Sequence, residues 1–298
     1  MTLRSFLFVP GDSDKKLAKG EASGADALIL DLEDSVAANR KPLAREMVQA
    51  YLAARPGRRT NELWVRMNPM GDGGLDDLVA VVRARPDGIV VPKVNHPHEL
   101  LGLGHFLDAL ERRDGIAAPI RLLPVATETA RAPFGLAAYH DVVLPRLYGL
   151  TWGAEDLSTA LGASTNRNPQ GEWAFTYKMV RSLCLLAAKA ANVAAIETLF
   201  ADFRDTAGLR ADCAEASREG FTGRIAIHPG QVDAINEAFT PSAAEIAQAR
   251  RVLGAFAAAG NAGVAGLDGQ MLDIPHRWQA EHVLARAATI AGKSAGGA

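Results

Sequence analysis

The chain has 298 residues, 48% of them hydrophobic, and a formal net charge of -2. That apolar content excludes a disordered chain and supplies a core for one large α/β domain or two small ones. The near-neutral charge argues against a general attraction to nucleic acid or acidic lipid.

Cys184 and Cys213 lack CxxC spacing and read as buried free thiols of a reducing compartment. No apolar run approaches the roughly 20 residues that a membrane helix needs. The opening MTLRSFLFVPGDSDKK has too short an apolar core for a signal peptide. The expectation is a cytoplasmic protein with no membrane partner.

Residues 3–9 are a near-continuous apolar run, as in a strand buried on both faces. Pro10 and Gly11 stop it, and Asp12 or Ser13 can cap a helix over 14–22. A second buried strand, 25–30, leads into Asp31, Glu33 and Asp34, and 40–54 reads as a helix. Residues 62–67 form a third strand carrying Arg66, and 75–84 is helical. The fourth strand, 88–91, runs into Pro92 and Lys93 before a helix over 97–112. The fifth, 120–126, delivers Glu128, and a weaker helix over 134–140 follows. The sixth, 147–152, leads through Gly153 to Glu155 and Asp156, with a long helix over 172–191. Residues 193–199 and 224–227 are the seventh and eighth strands, flanking a helix over 206–219; the last ends in His228, Pro229 and Gly230.

Strands alternating with helices imply a parallel sheet. Eight such units within 1–240 predict a closed (β/α)8 TIM barrel, whose usual size is about 250 residues. An open doubly wound sheet is the alternative; it would normally place a GxGxxG turn after its first strand, and 9–13 has none. Residues 241–298 read as a C-terminal helical arm or lid: a helix over 242–259, a mobile glycine-rich joint over 260–269, an extended piece over 270–275 and a helix over 276–290. The tail 293–298, KSAGGA, reads as disordered.

In such a barrel the carboxyl ends of the strands form the active face. Glu128 and Asp156 leave successive strands there. Either each caps its following helix, or the two hold a divalent metal. Magnesium fits the second reading, because it takes hard oxygen donors, keeps waters and needs only one or two carboxylates; zinc spacing is absent. Arg66 can pair with an acid or grip a substrate carboxylate or carbonyl. Asp31, Glu33 and Asp34 are too many charges to ligate one metal together, and are expected to hold metal waters and Arg66; Asp34 could instead cap a helix. Lys15, Lys16 and Lys19 are either a solvated face or, with the helix N-terminus, a phosphate site. His228 turns the chain or serves as a ligand. Asp273, in MLDIP, is a solvated loop acid or a proton shuttle whose pKa partial desolvation would raise.

RSFLFVPGD, LILDLEDSV, VRMNP, VVPKV, ATETA, LTWGAEDLS, AIHPGQV and DGQMLDIPH, in this order, resemble the citrate lyase β-subunit-like proteins of the HpcH/HpaI aldolase superfamily. The resemblance runs from Arg4 to about Ala291. It implies a TIM barrel and a magnesium-dependent carbon–carbon lyase acting on coenzyme A thioesters. Position by position it implies magnesium on Glu128 and Asp156, Arg66 on the substrate, the Lys15, Lys16 and Lys19 helix facing the CoA phosphates, and proton transfer by Asp273. It also implies a homotrimer or hexamer in which the arm closes over a neighbour's site. Where many relatives read Ile-Asp-Thr, this chain has Ile196, Glu197 and Thr198; the longer acid is expected to alter the pocket floor or local hydrogen bonds. The expected reaction is reversible cleavage of a malyl-, citramalyl- or citryl-CoA-like 3-hydroxyacyl-CoA to an acyl-CoA and a 2-oxo acid. The rivals are a CoA-independent 2-oxo acid aldolase and a non-catalytic CoA-ester-binding subunit.

Overall fold

The computed structural model describes residues 3–56, 60–260 and 262–295. Packing divides the chain into two units, one spanning Leu3–Asn236 and the other running from Glu237 onward.

The first unit contains eight strands: β1 (Ser5–Pro10), β2 (Ala27–Asp31), β3 (Glu62–Arg66), β4 (Gly88–Val91), β5 (Arg121–Pro124), β6 (Gly149–Thr151), β7 (Ala194–Glu197) and β8 (Gly223–Ala226). All pair in parallel, in the order β5-β4-β3-β2-β1-β8-β7-β6. The two ends meet through the bridges Leu122↔Leu147 and Val125↔Thr151. Ala126 N donates to Thr151 O there at 2.8 Å, so the sheet closes on itself as a barrel.

The outer layer is α1 (Asp14–Glu21), α2 (Lys41–Ala53), α3 (Gly74–Val81), α4 (Pro97–Asp114), α5 (Ala132–Gly135), α6 (Ala154–Ala160), α7 (Phe175–Ala190), α8 (Thr206–Glu219) and α9 (Val232–Ala238). The division between units falls inside α9. Two of these helices, α6 and α9, were not anticipated from sequence. The weak helix expected over 134–140 is one α-turn, α5, followed by a 3-10 turn, Leu136–Tyr139.

Strands of this kind read as unbroken apolar runs because both faces are covered; β2, β4 and β8 are buried at every position. Alternate residues point inward, so Phe6, Ile29, Trp64, Val90, Leu123, Ile196 and Ile225 share the central cluster. Gly88 makes room for the largest of them: a Cβ there would lie 2.2 Å from the Trp64 ring. The amino-terminal end of the cavity is plugged. Phe6, Trp64 and Tyr148 meet edge to face at 5.2–6.0 Å. Arg121 lies over the Trp64 and Tyr148 rings and donates to Glu62 at 2.7 Å, while Trp64 Nε1 donates to the same carboxylate.

In the second unit a Ser242/Glu245 capping box starts α10 (Ala243–Ala258). Within 260–269, expected to be a mobile glycine-rich joint, residues 264–269 form the first strand and the turn of an antiparallel hairpin of β9 (Val264–Leu267) and β10 (Gln270–Asp273). Its turn is Asp268-Gly269, both residues left-handed (φ 51° and 78°), the backbone that an Asp-Gly hairpin turn requires. Helix α11 (Ile274–Ala295) follows. Ala249, Val252, Phe256, Ala265, Leu272 and Ala280 form this unit's own core. Of the tail expected to be disordered, 293–295 continue α11 and 296–298 lie outside the described residues. Among the described residues no helix is long and apolar enough to cross a membrane.

Candidate metal and substrate site at the barrel mouth

Five successive strands, β2 to β6, deliver charged side chains to the carboxyl-terminal rim. Arg66, the last residue of β3, donates from Nε and Nη2 to the two oxygens of Asp31, the last residue of β2, each at 2.7 Å. Asp31 also accepts from the backbone N–H groups of Glu33 and Ser35 at 3.0 and 3.2 Å. Burial alone would raise this carboxyl, but the bidentate guanidinium and the loop N–H groups outweigh it and hold the group below the usual aspartate range. Arg66 Nη1 lies 2.9 Å from Glu33 Oε2, an ion-pair contact without hydrogen-bond alignment, and its guanidinium sits over the Phe8 ring at 4.5 Å. Arg66 is thus fixed in place with N–H groups to spare, since a guanidinium carries five.

The acidic loop after β2 is anchored from β3. Asn68, fully buried, donates to Leu32 O at 2.9 Å and to Asp77 at 2.7 Å. That places Glu33 under the mouth and leaves Asp34 at its edge, 3.8 Å from both Arg66 and Lys93. Asp34 caps nothing: the N-cap positions of the following 3-10 turn and of α2 are Ala37 and Arg40, neither with a side-chain cap.

Glu128 is 5% exposed and accepts from Lys93 N at 2.6 Å. Burial pushes its carboxyl up to about 8, helped by the negative charges of Asp156 and Glu33 and opposed by the Lys93 N–H and Arg66. Asp156 stands in the first turn of α6, its side chain 36% exposed. Glu155 beside it turns away to accept from Asn166 at 3.0 Å. No side chain caps α5 or α6, so the capping reading of Glu128 and Asp156 fails. Gly153, the residue before α6, leaves room for Glu128: a Cβ there would lie 2.7 Å from Glu128 Cγ and 3.2 Å from its Oε1.

Lys93, which sequence reasoning placed at the rim without a role, joins the whole group. Its ammonium contacts Glu33 Oε1 and lies 3.8 Å from Asp34 and from Asp156, while its peptide N–H holds Glu128. The signal was available in VVPKV, at the end of a buried strand.

Other expected residues have other settings. Lys15, Lys16 and Lys19 are exposed on α1, whose N-terminus is capped by Ser13. His228 caps the Pro229–Gln231 turn, accepting from Gly230 N at 3.1 Å, and stacks on Phe203; its ring serves the turn. Glu197 does not reach the pocket floor. Its neighbour Ile196 points inward, so Glu197 points outward, where it accepts from Trp152 Nε1, Arg181 Nε and Thr198 N. Asp273 ends β10 in the second unit, paired with His276 Nδ1, and its side chain keeps 53% exposure; the desolvation expected from its apolar neighbours is absent within the chain.

Among the described residues no three His, Cys, Asp or Glu side chains converge as a metal cage. The site therefore offers two hard carboxylates. That suits a cation that keeps its waters and takes further oxygens from substrate, and a cation would relieve the buried Glu128 carboxylate.

A parallel eight-stranded barrel with acids and a fixed arginine at its carboxyl-terminal rim is an α/β barrel with its charged cluster on the face where such barrels carry catalysis. The chain belongs to the HpcH/HpaI aldolase/citrate lyase family, whose model matches residues 4–229. It is 35% identical over 292 residues to a (3S)-malyl-CoA thioesterase of Cereibacter sphaeroides, covering 97% of this chain and 95% of that protein. It is 35% identical over 291 residues to citrate lyase subunit beta of Escherichia coli, covering 96% and 93%. Among solved structures, CitE of Mycobacterium tuberculosis in complex with magnesium, acetoacetate and coenzyme A is similar at a TM-score of 0.76 and 30% identity, covering 96% of this chain and 98% of that one.

Proposed function

We propose that the protein is a magnesium-dependent lyase that reversibly cleaves a 3-hydroxyacyl-CoA into an acyl-CoA and a 2-oxo acid. The observation that carries this reading is the buried, proton-retaining Glu128 carboxylate beside Asp156, at the mouth of a barrel whose relatives include a magnesium- and CoA-bound protein. Glu128 and Asp156 would hold the ion. Bound there, magnesium would act as a Lewis acid toward the hydroxyl and carboxylate of the fragment that becomes the 2-oxo acid.

This chain's side chains do the rest. Arg66, locked by Asp31, aims its remaining N–H groups at the oxygen that gains charge as the carbon–carbon bond breaks. The hydroxyl proton leaves to solvent as the 2-oxo acid's carbonyl forms, the bonding electrons pass to the thioester as an enolate, and Asp273, protonated from solvent, delivers a proton to the enolate carbon; in condensation each transfer runs in reverse. Lys15, Lys16 and Lys19 on α1 bind the CoA phosphates. The second unit, with its own core and hairpin, is the arm that carries Asp273 to a neighbouring subunit's mouth in a homotrimer or hexamer; there burial supplies the desolvation missing in the single chain.

The test is a panel of malyl-, citramalyl-, methylmalyl- and citryl-CoA, assayed with and without magnesium for both 2-oxo acid and free CoA release. Magnesium-dependent 2-oxo acid formation supports the reading. CoA release alone would make the protein a thioesterase, the activity named for the Cereibacter relative. Asp273→Asn is expected to lose about 100- to 10,000-fold in turnover while keeping magnesium and CoA-ester binding by calorimetry; full turnover in that variant removes Asp273 from the mechanism.

A further inference from the structure

Lys93 is held in a conformation that its residue type disfavours. Its φ is 55°, the left-handed region where a side chain other than Gly, Asn or Asp is uncommon and costs energy. The strained backbone presents two groups of one residue to different carboxylates of the acidic rim. The peptide N–H points at Glu128 Oε2, 2.6 Å away. The ammonium reaches Glu33 and stands 3.8 Å from both Asp34 and Asp156. One residue therefore touches, or lies within ion-pair range of, four carboxylates coming from three different loops.

The two handles differ in what they do when a cation arrives. The N–H is a dipole that orients Glu128 and stays where it is. The ammonium is a full charge, 33% exposed at the mouth, within ion-pair range of Asp156, one of the two carboxylates assigned to the metal. It offsets part of the carboxylates' charge in the metal-free protein, and a divalent cation must take Asp156 from it. Once the cation and an anionic substrate are both present, the same ammonium lies beside added negative charge.

We propose that Lys93 is a positioning residue that acts as the site's internal cation: it keeps the acids assembled without metal, competes with magnesium for Asp156, and then favours the anionic 2-oxo acid. The inference rests on the assignment of magnesium to Glu128 and Asp156. It predicts effects of opposite sign, which a purely structural lysine would not produce.

The experiment is calorimetric titration of metal-stripped protein with magnesium, then of magnesium-loaded protein with pyruvate, at one pH. Lys93→Met is expected to bind magnesium about fivefold more tightly and pyruvate about fivefold more weakly, the size of a unit-charge interaction across about 4 Å in water. Lys93→Arg should restore both values. Lys93→Gly, which accepts a positive φ without strain and keeps the peptide N–H, should reproduce Lys93→Met and guards against a variant that fails to fold. Two affinities that fall together, or do not move, overturn the inference while leaving the metal assignment standing. Wild-type protein that takes up no magnesium overturns both.

Discussion

The barrel interior contains two polar layers, and they are built differently. At the amino-terminal floor one acid, Glu62, meets one base, Arg121, and both are closed in by the Trp64 and Tyr148 rings. At the carboxyl-terminal rim five acids, Asp31, Glu33, Asp34, Glu128 and Asp156, face two bases, Arg66 and Lys93. The floor is satisfied by its own residues. The rim keeps excess negative charge, and Glu128, buried and close to two other acids, relieves that excess by holding a proton. A layer that only stabilises can balance itself; a layer that binds a cation has to be left short of positive charge until the cation comes.

The largest expected contrast lies in stability. Arg66→Met strands the buried Asp31 carboxylate and should cost about 3–5 kcal/mol. Arg121→Met, at a pair that keeps some solvent contact, should cost about 1–2 kcal/mol and leave turnover and magnesium affinity unchanged. Denaturant unfolding in EDTA, with the lyase assay alongside, checks both; equal costs would erase the distinction between the layers.

A smaller effect is expected from Gly153→Ala. Its added methyl would press on Glu128 Cγ, and displacing a ligand in this way should weaken magnesium binding by about 10- to 100-fold with little change in far-UV circular dichroism. Unchanged affinity would mean that Glu128 does not hold the ion.

The smallest effect is the pH dependence of metal-free stability. Glu128 is raised from 4.5 to about 8 in the folded chain, so between those values the folded state binds more protons than the unfolded one. Its contribution to stability is then complete below about pH 4.5 and is lost as pH rises through about 8. Metal-free protein should melt lower at pH 8 than at pH 6 from this group. Magnesium should stabilise more at pH 8, because binding must displace the proton at lower pH. A magnesium-induced melting shift independent of pH would place the ion elsewhere.

Much of the framework was legible because the strands are covered on both faces. That requirement writes itself as short apolar runs ended by Pro, Gly or an acid, and all eight were visible, with β4 and α8 in their observed limits. Helices α6 and α9 were missed because each is only seven residues long, too short for periodicity to speak. The hairpin of the second unit was hidden by reading GNAGVAGLDG as a glycine-rich joint, although Asp268-Gly269 is itself a turn signal.

The chain order alone settled which residues reach the carboxyl-terminal rim, because strand ends are a matter of local pattern. Arg66, Glu128 and Asp156 follow from that, and so do the three acids after β2. What those residues do to one another was decided only by closing the barrel. Asp31 and Arg66 become a bidentate pair because β2 and β3 are adjacent and in register. Glu197 turns out of the pocket because Ile196 turns in. Lys93 becomes the hub because a left-handed backbone, set by its surroundings and opposed by its own side chain, aims its peptide N–H and its ammonium at loops distant in sequence. Periodicity along a chain reports which face is buried; charge balance depends on distances across space, and those exist only after folding.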